Sequence, residues 1–252
     1  MPCYMRPQQP EDIWVRRALF YAIGVMALGG YLTFTHVYSS EPVVAPPVGA
    51  ILLWLSLYIP VIVLPLVTRA AGDAAWSVTE FGFTLSQRMA LVSGGCVLLL
   101  ILILRGRVIA WEGAGWEAFA RTGEEVFFRG FLLALFTRLF ARRQRALMWA
   151  VGVSALLFAL VHTQTFRPEF QEWYGSAYMP LLYRIVERML NLFVLGVGFA
   201  LLFTWTRSVL PIAIIHSVLN ARSIQILPFV LLIYGGITFW AHYRGEHVVS
   251  PA

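Results

Sequence analysis

Three short clusters put ionisable and amide side chains inside otherwise apolar stretches of the sequence. They are Arg121-Thr-Gly-Glu124-Glu125-Val-Phe-Phe-Arg129-Gly130, Phe158-Ala-Leu-Val-His162 and His216-Ser-Val-Leu-Asn220. Such groups are expensive in hydrocarbon and mark functional sites by default. On a helix, Glu125 and Arg129 stand four residues apart and can pair, while Glu124 points about 100° away and is left for chemistry. His216 and Asn220 share one helix face by the same spacing. A Glu/His pair can hold and deprotonate a water. A His/Asn pair can donate hydrogen bonds to the oxyanion formed when that water attacks a carbonyl. Burial of Glu124 would favour its taking up the proton, while Arg129 keeps Glu125 ionised. Each cluster alone also has a plainer reading. Acids suit a helix N-terminus, a His closing a span can be an interfacial hydrogen-bonding residue, and a His/Asn pair can join two helices. Their convergence is what points to hydrolysis. A helix starting near Glu124 and the next ending at His162 form an antiparallel pair with both residues at one side. His216, several residues into its own helix, can meet them at the same shallow depth.

Apolar spans must position these clusters. Of the 252 residues, 59% are apolar and 13% charged, against roughly 45–50% and 25% in ordinary soluble domains. A water-soluble globule, a coiled coil, a disordered tail and a disulfide scaffold are excluded. At about 20 apolar residues per span, the chain holds roughly eight spans with short loops and no separate soluble domain. The expected spans are Ala18–Tyr38, Val48–Thr68, Met89–Leu104, Glu124–Phe140, Ala146–His162, Arg184–Trp205, Ser208–Ile226 and Pro228–Tyr243. Two semi-polar stretches, Arg69–Arg88 with Trp76, Phe81 and Phe83, and Arg105–Gly123 with Trp111 and Trp116, suit interfacial segments. Thr163–Tyr183 is the longest polar connection and suits a lid or a substrate-access element.

The net charge of +6 comes from 19 Arg with no Lys, spread singly or in short clusters beside the apolar runs. No basic stripe interleaved with aromatics exists, so nucleic acid is not the partner. Arg beside a span is instead a topology signal and a contact for lipid head groups. Arg16, Arg17, Arg69, Arg88, Arg142, Arg143, Arg145, Arg207 and Arg244 fall on one side of an eight-span bundle, which should be cytoplasmic. Arg105, Arg107 and Arg121 fall on the other. Cys3 and Cys96 lie far apart without a nearby second thiol and argue against a thiolate metal site. The first apolar stretch lacks a small-residue cleavage site and reads as a retained span. Arg and Ala in place of Lys fit a bacterial chain, with the inner membrane as the expected location.

In this order on successive apolar spans, Glu124-Glu125-x-x-x-Arg129, Phe158-x-x-x-His162 and His216-x-x-x-Asn220 resemble the three motifs of the CPBP family. These are the CAAX protease and bacteriocin-processing enzymes, also called the ABI family, which include the type II CAAX prenyl proteases. Phe128-Arg129-Gly130 and Arg207-Ser-Val-Leu extend the likeness, which covers Gly123–Ala221. The resemblance implies an all-α polytopic membrane bundle of about eight transmembrane helices around a conical intramembrane cavity. It divides the chain into an N-terminal membrane region, residues 1–123, and a catalytic helical core, residues 124–252, within one integral membrane domain. It also implies an intramembrane endopeptidase acting on a membrane-associated, lipidated or C-terminally anchored protein. Glu124 then resembles the general base, with His162 orienting the water. Glu125 and Arg129 resemble a supporting pair, and His216 and Asn220 an oxyanion-stabilising pair. The family pattern favours a glutamate-type enzyme without cofactor or metal, and the usual zinc-protease spacing His-Glu-x-x-His is absent. Glu124, His162 and His216 remain the ligand set if zinc is present. The alternative function is a non-proteolytic membrane scaffold or immunity protein of the same family, for which loss of a motif residue would be the sign. A transporter would show paired broken helices in matching halves, which are not evident.

Overall fold

A computed structural model describes residues 10–38, 48–71, 76–84, 86–104, 114–162, 178–221 and 224–243. All regular structure among them is helical. In order these are α1 (Pro10–Tyr38), α2 (Val48–Ala70), α3 (Gln87–Leu104) and α4 (Ala114–Glu125). A wider π-type turn, Val126–Leu132, joins α4 directly to α5 (Leu133–Leu139). Then follow α6 (Ala146–Val161), α7 (Tyr178–Thr206), α8 (Leu210–Ala221), a 3-10 turn (Ile224–Ile226) and α9 (Leu227–Tyr243). The all-α class expected from the sequence is therefore present.

The outside of the bundle is apolar. Leu91, Leu98, Leu99 and Leu102 on α3, Val186, Leu190 and Val194 on α7, and Leu231, Leu232 and Phe239 on α9 are all exposed. Three charged side chains, Glu124, Glu125 and Arg129, are nevertheless buried inside it. Apolar surface on this scale calls for hydrocarbon or protein to cover it. Helices suit that setting because every main-chain polar group finds its partner within the segment. Ile51–Ala70 and Ile185–Thr206 are long and apolar enough to cross a membrane. The apolar helices Gln87–Ile103, Ala146–Val161, Leu210–Asn220 and Leu227–Tyr243 are shorter. The expected seventh span, Ser208–Ile226, is broken accordingly: α8 has 12 residues before the chain turns. At 1.5 Å per residue that is about 18 Å, against a hydrocarbon core of about 30 Å.

The rod formed by α4, the π turn and α5 is the centre of the molecule, and every residue of the π turn is buried. A π turn is rare and concentrates at functional sites, since the widened turn redirects side chains and leaves carbonyls without their usual partners. Ser154 of α6 meets this turn, donating from Oγ to the Phe128 carbonyl at 2.8 Å. On the other side α2 packs on α4. Tyr58 donates to the Phe119 carbonyl at 2.6 Å, and its ring stacks on Phe119 at 4.8 Å. Helix α6 lies along α7, and α8 packs between α3 and α4.

Three sequence expectations change here. The fourth helix does not begin near Glu124: it begins at Ala114 and carries the two acids at its far end. The helix thus crosses residues 123 and 124, where the sequence reading divides the chain. Residues 114–123 are helical and part of α4, whereas 105–113, with Arg105, Arg107 and Trp111, lie outside the described residues. The Trp76–Thr84 stretch is not an interfacial skirt either, because Trp76, Phe81 and Phe83 are 3%, 0% and 0% exposed. Tyr178–Tyr183 belong to α7, while the rest of the expected lid lies outside the described residues. Cys96 is a free, half-buried thiol, and Cys3 lies outside the described residues.

The buried stretch works as a brace. Arg138 holds both oxygens of Glu80 at 2.8 and 2.9 Å and lies 4.2 Å over the Trp76 ring. Thr84 donates to the Arg207 carbonyl at 2.8 Å, and Tyr234 donates to the Thr84 carbonyl at 2.5 Å. Arg88 donates to the Trp205 carbonyl at 3.2 Å, so the start of α3 and the end of α7 meet at one end of the bundle. Gly82 turns the chain at φ +90°, a conformation that side chains with a Cβ resist. At Gly130 a Cβ would stand 2.6 Å from the Phe81 carbonyl oxygen, so the brace rests directly on the π turn. Gly130→Ala is expected to destabilise the protein by about 1–3 kcal/mol through this overpacking. A lowered unfolding midpoint in detergent would show it. Gly198→Ala, where a Cβ meets nothing within 4 Å, is the matched control.

Candidate active site

Glu124 and Glu125 end α4, with Glu124 ten residues and about 15 Å beyond its first residue, Ala114. They are 5% and 0% exposed. The reading of these acids as a solvated helix N-terminus therefore fails on both burial and position. Their different directions around the helix give them different partners.

Glu125 is enclosed. Its Oε2 lies 3.2 Å from Arg129 Nε, the pairing expected from the four-residue spacing. Its Oε1 accepts from His216 Nδ1 at 2.5 Å. Arg129 is 1% exposed, and its guanidinium lies 4.0 Å over Phe158 and 5.3 Å from the centre of Phe199. Its Nη1 and Nη2 have no hydrogen-bond partner among the described residues. The aromatic faces supply part of the lost solvation through their quadrupoles. Phe158 and Phe199 also touch the histidines: Phe158 lies 4.2 Å from the His162 ring, and Phe199 lies 5.9 Å from the His216 ring.

Glu124 has one occupied and one open oxygen. Arg121 donates from Nη1 to Oε1 at 2.7 Å, and its Nε reaches Glu117 Oε2 at 3.3 Å. Oε2 faces two imidazoles, with His162 Nε2 and His216 Nε2 each at 3.6 Å. This oxygen makes no direct hydrogen bond among the described residues. His162 closes α6, and its Nδ1 lies 2.7 Å from the Phe158 carbonyl. A carbonyl or carboxylate can only accept, so Nδ1 of each histidine carries the proton, an assignment made from its partner. The Nε2 atoms are thereby turned toward Glu124 Oε2.

Five of the six sequence candidates thus come together: Glu124, Glu125, Arg129, His162 and His216. Asn220 does not join them. It lies one helical turn beyond His216 near the end of α8, exposed, with no side-chain hydrogen bond to the cluster among the described residues. Two neighbours escaped the sequence reading. Arg121 counted there as a loop charge on the wrong side of the membrane; it is a buried-side partner of Glu124. Its spacing of three before Glu124 was the available signal. Phe199 carried no signal, being one apolar residue in an apolar run.

The donor set for zinc would be Glu124, His162 and His216. Among the described residues no three His, Cys, Asp or Glu groups are placed to hold a metal ion. Arg121 also engages the Glu124 carboxylate, setting a fixed cation beside the place a metal would take. The residues as arranged do not fit that set, and no step below passes through a metal.

The sequence model of the family described as type II CAAX prenyl endopeptidase Rce1-like matches residues 97–222, half of the chain. The chain belongs to this family. Its matched region runs from α3 through α8 and contains all three clusters. The family is a class of CAAX proteases, and the match joins the CPBP resemblance to its Rce1-like branch. No curated protein and no solved structure matches the chain.

Proposed function

We propose that the chain is a membrane-embedded endopeptidase whose nucleophile is a water activated by Glu124. The observation that carries this is the meeting of Glu124 Oε2 with both Nε2 atoms at 3.6 Å in a buried site. That triangle suits a water that donates one hydrogen to the carboxylate and the other to His162 Nε2, which orients it. The water oxygen forms a bond to the scissile carbonyl carbon as Glu124 takes its proton. The carbonyl π electrons move to oxygen, and His216 Nε2–H and the Asn220 amide donate to that oxyanion. For this donation His216 must carry both ring protons, and Glu125 balances the charge. Glu124 then returns its proton to the amide nitrogen, and the C–N bond breaks with departure of the amine. Asn220 is exposed before substrate binds, so its share of the oxyanion site is completed by the substrate's arrival.

In this reading the apolar exterior sits in a bilayer as an eight-helix bundle, with the catalytic cavity reached from within it. The bacterial inner membrane is the setting that the composition suggests. The substrate is a membrane-associated, lipidated or C-terminally anchored protein, in keeping with the family's description as CAAX prenyl endopeptidases. Mapping of protein N- and C-termini in membrane and secreted fractions from wild-type and Glu124→Gln cells tests it. Precursors should accumulate in the variant, and identical termini in both would sink the protease reading. Purified protein is expected to keep cleaving in excess 1,10-phenanthroline. Loss of cleavage there, with recovery on adding zinc, would overturn the metal-free mechanism.

A further inference from the structure

The site holds a second guanidinium whose role the motif clusters do not express. Arg121 bridges two carboxylates on its own helix: Glu117, 40% exposed in its side chain, and Glu124, 6% exposed. Arg121 itself lies between them at 23%. A planar fork that grips two acceptors has little rotational freedom left. The grip falls on Glu124 Oε1, the oxygen turned away from the histidines. With Oε1 held at 2.7 Å, the carboxylate plane is set, and Oε2 alone is presented to His162 and His216.

We propose that Arg121 is a positioning residue for Glu124, with Glu117 as its outer anchor. It fixes which carboxylate oxygen faces the water and supplies the positive charge that offsets the second of two adjacent buried acids. Arg129 pairs instead with Glu125 through its Nε and makes no hydrogen bond to Glu124 among the described residues. The proposal rests on Glu124 being the general base.

Turnover of a prenylated CAAX peptide by purified protein tests it. Arg121→Ala should lower kcat about 100-fold, the usual consequence of a reacting group displaced by about 1 Å, with KM nearly unchanged. Added guanidinium ion should restore part of that loss, because the vacated position is partly exposed; a purely structural role would not respond. Arg121→Lys keeps the charge without the fork and should fall between alanine and wild type. Wild-type kcat in Arg121→Ala, or a loss confined to KM, overturns the proposal. So does an alanine variant that melts like wild type yet recovers nothing with guanidinium. Should the alanine variant fail to fold, Arg121→Lys decides, and wild-type kcat there overturns the proposal as well. Glu124→Gln in the same assay separates the two levels. Its continued activity, or wild-type protein inert on the probe, would sink the base assignment. Its inactivity beside an unimpaired Arg121→Ala would sink the positioning role alone.

Discussion

Glu124→Gln is expected to lower the cleavage rate by about 10²–10⁴, the range for losing a general base, while the protein stays folded. The substitution keeps the shape of the side chain. The amide can still accept from Arg121 through its oxygen, so the contact at 2.7 Å need not break. What it cannot do is take a proton from water. Glu124→Asp separates position from chemistry, because it keeps the base and withdraws it by one methylene from the two Nε2 atoms. Displacement on the order of 1 Å costs about 100-fold, so aspartate should be a poor enzyme rather than a dead one. Cleavage by Glu124→Gln within about tenfold of wild type would be too small a loss for a base and would remove Glu124 from that role.

Most of the site was legible because spacing along a helix and order along the chain are both visible in one sequence. Glu125 and Arg129 pair as their four-residue separation requires, and His162 and His216 do face Glu124. The bond from His216 to Glu125 was not legible. It depends on how α8 is rotated against α4, which packing between distant segments decides. Arg121 was hidden by an error one level lower. Placing the helix start near Glu124 put Arg121 in a loop, where an Arg reads as a topology signal. Once α4 begins at Ala114, the same residue is a neighbour of Glu124 on a helix face.

The fold was legible where apolar runs were long and uninterrupted, as in α2 and α7. It failed where polarity was taken to mean exposure. Trp76–Thr84 contains Glu80 and several hydroxyls, so composition suggests an interface. Glu80 pairs with Arg138, the Thr84 hydroxyl donates to the Arg207 carbonyl and the Ser77 and Thr79 hydroxyls bond each other, so the aromatic residues between them can be buried. The π turn left no mark in composition or periodicity. It is specified by what surrounds it, including Ser154 on its carbonyl and the Phe81 carbonyl against Gly130.

The buried pair behind the site should be the most sensitive point for stability. Arg129→Met is expected to cost about 3–5 kcal/mol, because it leaves the Glu125 carboxylate at 0% exposure without its guanidinium. Glu125→Gln should be costly for the converse reason, stranding a guanidinium whose Nη atoms already lack hydrogen-bond partners. Arg129→Lys should recover only part of the loss. An ammonium can pair with Glu125, but it cannot lie flat over Phe158 at 4.0 Å as the guanidinium does. The double variant Glu125→Gln/Arg129→Met removes both charges together, so it should be more stable than the sum of the two single losses predicts. Unfolding midpoints of the four proteins in one detergent measure that coupling, and strict additivity would show that the pair contributes nothing as a pair. The double variant should nevertheless be a poor enzyme even where it is well folded. Without the Glu125 carboxylate, His216 loses the anion at its Nδ1 that balances a second ring proton, and its Nε2 should serve poorly as an oxyanion donor. Stability recovered without activity would separate the two tasks of Glu125: closing a buried ion pair with Arg129, and setting the charge of His216.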